Sequence, residues 1–209
     1  IYLFPKDAFY QKRKALGELN IVLFEPEGLT GDIFEDADVP FSETQNLENL
    51  KAVQDSLVIV GEGVSFEEYA SLPPLMIEMA EGGGKILCLA PSEGEMILEG
   101  RDQHIRPMSL SLRREDVISD IDKQLDACSW LEDGRITTAA FEFSGRRGYV
   151  IARVTNSRNG WPWLDMKFQN KGRLIICGFP VIEQWEKTPI PRYLLAGLLN
   201  HYFTGRASE

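Results

Sequence analysis

Histidine is nearly absent from this chain of 209 residues: His104 and His201 are the only two. A mechanism that needs an imidazole base, or a metal site built on histidine, has almost nothing to draw on. Cysteine is scarce too. Cys88, Cys128 and Cys177 form no CxxC pair and none lies at ligand spacing from a histidine, which argues against a disulfide framework and a zinc-type site. Positive charge is in deficit, with 22 Lys and Arg against 32 Asp and Glu and a formal net charge of -10. Nucleic acids and anionic membranes are bound by Lys and Arg neutralising phosphate, so neither is expected as a partner. The pairs Arg113-Arg114 and Arg146-Arg147 are too few to make a basic stripe. No apolar run approaches the roughly 18 residues that span a bilayer. The glycine run 82–84 lacks the Lys-Ser/Thr of a phosphate loop and precedes a strand rather than a helix. No metal and no cofactor is therefore expected. Internal repeats, low-complexity tracts and obvious linkers are also missing.

The chain does have the means to build one core. Hydrophobic residues make up 44% of it, which at this length suffices for a single soluble domain spanning residues 1–209. It opens IYLFP, without methionine and without a basic, apolar leader, and so reads as a mature product or a segment of something larger. The compartment is left open.

In the first half, strand and helix signals alternate. Residues 19–24 (LNIVLF), 56–60 (SLVIV) and 85–90 (KILCLA) are short, apolar and β-branched, each followed by a turn-like segment, and read as buried strands. Between them lie a short helix near 31–37, an edge strand near 39–42 and a helical turn at Leu47 and Leu50. Ser65 with Glu67 and Glu68 looks like a helix start, and Leu72, Leu75, Met76 and Met79 recur at helical spacing. Pro73 and Pro74 predict a break there, with a second helix over 74–81 stopped by the glycine run. Strand, helix and strand in this rhythm imply a parallel sheet.

The second half changes character. A short amphipathic helix is expected over 115–125, then antiparallel pairs 137–143 with 148–154 and 164–168 with 173–177, and a closing helix over 190–203. The fold class expected is α/β: a three-layer α/β/α sandwich with a mainly parallel, flavodoxin-like sheet and an antiparallel extension in the C-terminal half.

Three blocks carry a resemblance: LVIVGEG (57–63), MIEMAEGGGKILCL (76–89) and KGRLIICGFPVIEQWEKTPIPRYLLAGLLNHY (171–202). Together, over roughly half the chain, they resemble the glutamine-amidotransferase-like, flavodoxin-related domains that accompany glycoside hydrolases of the β-galactosidase kind. The shared motifs are structural, so the resemblance implies a fold and an association with carbohydrate enzymes rather than an activity.

In an active amidotransferase of this fold the nucleophilic cysteine occupies a tight turn between small residues. Cys88 instead lies within an apolar run between Ile86 and Ala90, and both Cys88 and Cys177 read as small core hydrophobes. Ser92 is the better-placed candidate nucleophile, because Ala90-Pro91-Ser92-Glu93-Gly94 approximates a Gly-x-Ser-x-Gly elbow, with His104 in the polar stretch 102–106 as candidate base. The competing reading is a loop whose Ser and Glu cap the next segment. Glu25, Glu62 and Glu93 each follow an expected parallel strand, where ligands of such sheets bind, and are candidate ligand-binding residues; solvated loop acids are the alternative. Trp161 and Trp163, flanking Pro162, are a candidate sugar platform, with burial or a protein interface as the competing role for them and for Trp185. The expected function is a non-catalytic accessory or interaction domain related to carbohydrate-processing enzymes, with a sugar, a protein or a second copy of the chain as partner. The alternative is a hydrolase or amidotransferase-like enzyme using Ser92.

Overall fold

The structure is a computed structural model that describes residues 7–9, 16–98, 107, 109–114, 117, 121, 123–130 and 139–203. Its elements follow in order: β1 (Ile21–Phe24), α1 (Leu29–Asp36), β2 (Ser42–Thr44), α2 (Leu47–Lys51), β3 (Leu57–Val60), α3 (Leu72–Glu81), β4 (Lys85–Leu89), β5 (Glu95–Leu98), β6 (Ser109–Ser111), α4 (Lys123–Cys128), β7 (Ala140–Arg146), β8 (Tyr149–Thr155), β9 (Trp163–Lys167), β10 (Arg173–Cys177) and α5 (Ile190–Phe203). The fold is mixed α/β. A seven-stranded sheet runs in the order β2-β1-β3-β4-β10-β9-β6, and a separate three-stranded sheet in the order β5-β8-β7.

In the large sheet β2, β1, β3, β4 and β10 pair in parallel, while β9 and β6 are added antiparallel at one side. Of the parallel strands, the edge strand β2 is polar and mostly exposed, whereas β1, β3, β4 and β10 read as largely apolar runs because both faces are covered. Their alternate residues divide between two cores. Leu23, Ile59, Leu87 and Ile175 face Phe34 of α1 and Leu194, Leu195, Leu198 and Leu199 of α5. Val58, Val60, Ile86, Cys88 and Ile176 face Leu50 of α2 and Leu72, Leu75 and Met76 of α3, together with Met96, Phe141 and Ala152 of the small sheet. Each fully buried Leu or Ile contributes about 1.5–3 kcal/mol relative to exposure.

Helix boundaries follow local chemistry. The Asn46 side chain accepts from the Glu48 amide at 2.9 Å and starts α2. The prolines do not break α3: the helix begins at Leu72, so Pro73 and Pro74 sit in the first turn, where a missing N–H costs little. The expected helix start at Ser65 is instead a run of turns, although the Ser65 hydroxyl does accept from the Glu68 amide at 3.1 Å. The β7-β8 hairpin is tighter than the sequence suggests, with strands continuing through Ser144–Arg146 to a two-residue turn at Arg147 and Gly148. Much of the amphipathic segment expected at 115–125 lies outside the described residues; Val117, Ile121 and Leu125 pack against the α5-side core.

Two polar features fasten the closing helix and hairpin. The buried Tyr202 hydroxyl accepts from the Ile175 amide at 3.1 Å and donates to the Ile86 carbonyl, tying α5 to β10 and β4. Arg173 grips Asp165 through Nε to Oδ1 at 2.8 Å and Nη2 to Oδ2 at 2.5 Å, linking β10 to β9.

Candidate functional site

The carboxyl ends of β1, β3, β4 and β10 form the edge where ligands of such sheets bind, most often at the point where strand order reverses. Here that point lies between β1 and β3. Glu25 occupies it and is 1% exposed. Its carboxylate accepts from the Thr30 amide at 2.8 and 2.7 Å and from the Gly31 amide at 2.9 Å, the second and third residues of α1. Gly28, ahead of the helix, offers no side-chain cap, so Glu25 supplies it from the end of the preceding strand. A helix N-terminus after the first strand is a ready anion site. In this chain the anion is the protein's own. Gly61, at the end of β3, packs directly on this carboxyl, and a Cβ there would come 2.7 Å from Glu25 Cδ.

Glu62 follows. Its amide donates to the Thr30 hydroxyl at 3.1 Å, and its carboxylate accepts from the Ile182 amide at 2.8 Å and the Glu183 amide at 3.0 Å, so the turn after β10 is fastened to the end of β3. Burial pushes the Glu62 carboxyl up from 4.5 to about 7, outweighing the amides of Ile182 and Glu183, which favour the charged form. A carboxyl raised in the folded state binds protons more tightly there than in the unfolded chain. Its stabilisation is therefore full below about pH 4.5 and lost as pH rises through about 7. The stability of the wild type relative to Glu62→Gln is expected to fall by about 1–3 kcal/mol between pH 4.5 and pH 8. Urea unfolding of both proteins at each pH measures it, and a pH-independent difference would contradict the assignment.

The stretch 90–94 is held by backbone pairing. The Gly63 amide donates to the Ala90 carbonyl at 3.0 Å, the Ala90 amide to the Cys177 carbonyl at 2.6 Å and the Ser92 amide to the Val64 carbonyl at 3.0 Å. Ser92 forms a parallel bridge with Ser65. The exposed Glu93 contributes its main chain, its carbonyl accepting from the Phe66 and Glu67 amides at 2.9 and 3.1 Å. Gly94 has φ 117°, and a Cβ there would lie 2.5 Å from the Glu67 nitrogen. The chain then enters β5, a strand, where a nucleophile elbow would enter a helix. The glycine in this motif is thus required by close backbone approach. Ser92 is half-buried, and His104, its candidate base, lies outside the described residues.

Neither Cys88 nor Cys177 offers a thiolate. Both are buried, and burial pushes the Cys88 thiol well up and that of Cys177 to about 12. Among the described residues no group of three or more His, Cys, Asp or Glu is placed to hold a metal ion.

The two tryptophans of the proposed platform are separated. Trp161 is 47% exposed, but Trp163 is the first residue of β9 and 1% exposed, because pairing with Cys177 turns its ring into the α5-side core. Trp185 is also buried and stacks on Phe9, with the Arg192 guanidinium 5.7 Å from its ring. The structure shows a cluster that the sequence did not reveal. The Arg114 guanidinium lies 3.9 Å from the Phe179 ring centroid and 5.8 Å from that of Trp130, pairs through Nη2 with Asp126, and Asp126 in turn accepts from Trp130 Nε1 at 3.0 Å. Arg114 had been visible only as one of a pair of arginines, and its partners are distant in sequence.

No protein-family model matches the chain, and no curated protein matches it. Among solved structures, the Exo-beta-1,4-mannosidase Op5Man5 from Opitutaceae bacterium strain TAV5 is similar at a TM-score of 0.37 and 12% identity, over 95% of this chain. The chain spans 38% of that protein's length. Among the described residues no helix is long and apolar enough to cross a membrane.

Proposed function

We propose that residues 1–209 form one three-layer α/β/α domain of flavodoxin-like topology that works as a non-catalytic interaction module of a carbohydrate-processing system. The parallel order β2-β1-β3-β4-β10 supports the topology, since it follows the flavodoxin-like pattern with β10 in fifth place. One observation carries the functional part: the Glu25 carboxylate fills the anion position at the β1/β3 reversal, and the neighbouring loops bond to one another. An enzyme of this architecture keeps that edge open for substrate. Glu25 and Glu62 have structural partners there, and the 90–94 loop follows sheet pairing, so Ser92 as a nucleophile is the weaker reading.

Recognition falls to exposed surface. Trp161 is an exposed aromatic held by reciprocal backbone bonds with Phe141 at 2.8 and 2.9 Å, an amphipathic ring on a fixed support. Calorimetric titration with a panel of neutral oligosaccharides is expected to show binding by the wild type and about tenfold weaker binding by Trp161→Ala, equivalent to about 1.4 kcal/mol of stacking. Equal binding by the two proteins would remove Trp161 from the site. No binding by the wild type would eliminate the sugar and leave a protein partner.

A further inference from the structure

Each residue of a strand sends its main-chain N–H and C=O to one side, and successive residues alternate sides. In β7 two points fix which residues face which way. Phe141 exchanges both main-chain hydrogen bonds with Trp161, away from β8, and Arg146 pairs with Tyr149 across the two-residue turn into β8. Phe143 and Gly145 therefore present their main-chain groups at the edge of the small sheet opposite β8, where no strand among the described residues pairs with them. From Glu142 to Arg146 this edge is exposed apart from the half-buried Phe143. β2 and β6, the outer strands of the large sheet, have three residues each, whereas β7 has seven. An open edge is a template for another strand, and the charges along it decide which strand it accepts.

Those charges favour a second copy of β7. Glu142, Ser144 and Arg146 share one face of the strand. Arg153 of β8 stands opposite Glu142 but is engaged with Glu95, its Nε 2.8 Å from Oε1. Neither Glu142 nor Arg146 has an ion pair among the described residues. The two flank Ser144 at equal distance along the strand. A second copy laid antiparallel with Ser144 against its own counterpart sets each Glu142 opposite Arg146 of the other copy, at the closely spaced non-hydrogen-bonded positions. The same register sets Phe143 opposite Gly145, and these are the residues with free main-chain groups, so each such pair exchanges both hydrogen bonds. A Cβ on Gly145 would meet nothing within 4 Å, which leaves room for the Phe143 ring of the second copy. Registers centred on Phe143 or Gly145 lose both charge pairs.

We propose that the chain forms a reversible homodimer through antiparallel pairing of β7 with β7 of a second copy, centred on Ser144, so that the two small sheets become one. The dimer supplies a partner for the interaction role proposed above, but it rests on β7 alone and uses neither Trp161 nor sugar, so either reading can fail without the other.

Sedimentation equilibrium on the wild type, from micromolar to near-millimolar concentration, is expected to show monomer giving way to dimer. Glu142→Arg and Arg146→Glu each set like charges opposite one another, and each should weaken dimerisation about tenfold or more. Mixed together, the two variants are complementary and should associate with each other at wild-type strength, a restoration that damage to the fold would not give. Ser144→Cys tests the register. Its Cα atoms in the dimer would lie about 4.5 Å apart, within disulfide reach, so mild oxidation should link the copies faster than it links Glu142→Cys, whose new thiol would face Arg146. A wild type that stays monomeric at every concentration would overturn the proposal and leave the edge to a strand from another protein. A dimer unmoved by either charge reversal, reversed variants that ignore each other when mixed, or a Ser144→Cys protein that links no faster than Glu142→Cys would overturn it as well.

Discussion

Glu25→Ala is expected to destabilise the protein by about 3–5 kcal/mol, a large part of the 5–15 kcal/mol that holds a typical domain folded. The reasoning runs through the amides the carboxylate serves. Thr30 and Gly31 donate to it from the first turn of α1, and hydrogen bonds to a charged acceptor are worth about 1.5–3 kcal/mol each. Removing the side chain strands both donors in a site that is 1% exposed, leaves a void beside Gly61 and deprives the helix N-terminus of its negative charge. Glu25→Gln should recover part of the loss, because Oε2 serves both amides and an amide oxygen can take its place. Urea unfolding of the three proteins measures this. A loss below about 1 kcal/mol for Glu25→Ala would mean the carboxylate is not the cap.

Gly94→Ala is expected to cost a similar amount, about 3–5 kcal/mol, for another reason. Its φ of 117° is a conformation L side chains rarely adopt, and strain of that kind costs about 1–3 kcal/mol. The added methyl would also lie 2.5 Å from the Glu67 nitrogen and 2.6 Å from the Phe66 carbonyl carbon, backbone atoms of a segment whose Phe66 and Glu67 amides donate to the Glu93 carbonyl. Relief requires breaking that pairing. For a chain of this size the melting temperature should fall by about 10 °C or more. Glu93→Ala is the control: the side chain is exposed and only its main chain is used, so the change should stay within about 0.5 kcal/mol. A Gly94→Ala protein as stable as the wild type would show that the 90–94 loop is free to rearrange, as an elbow awaiting substrate would be.

The parts of the fold that were legible in the sequence are those whose signal is local. β1, β3, β4 and β10 are contiguous apolar runs, and the leucine face of α5 repeats at helical spacing. β5 and β6 escaped detection: EMIL and SLS are too short to show a period, and β5 exists through its pairing with β8, more than fifty residues away. The apolar pattern predicts a strand beginning at residue 164, whereas antiparallel pairing with β10 makes Trp163 the start of β9. Sequence position correctly brought Glu25 and Glu62 to the carboxyl ends of strands. It did not reveal their partners: Glu25 reaches forward to Thr30 and Gly31, and Glu62 reaches 120 positions to Ile182. The Arg114 cluster joins Asp126, Trp130 and Phe179 through tertiary packing, for which no spacing rule exists.

The most direct measurement is on Ser92 itself. Incubation of the folded protein with a reactive fluorophosphonate, followed by intact-mass and peptide analysis, reads whether any serine behaves as an activated nucleophile. With the Ser92 amide tied to Val64 and the loop running into β5, the chain is expected to emerge with its mass unchanged. A stoichiometric adduct on Ser92 that disappears in Ser92→Ala would contradict this and establish a working hydrolytic centre at the end of β4.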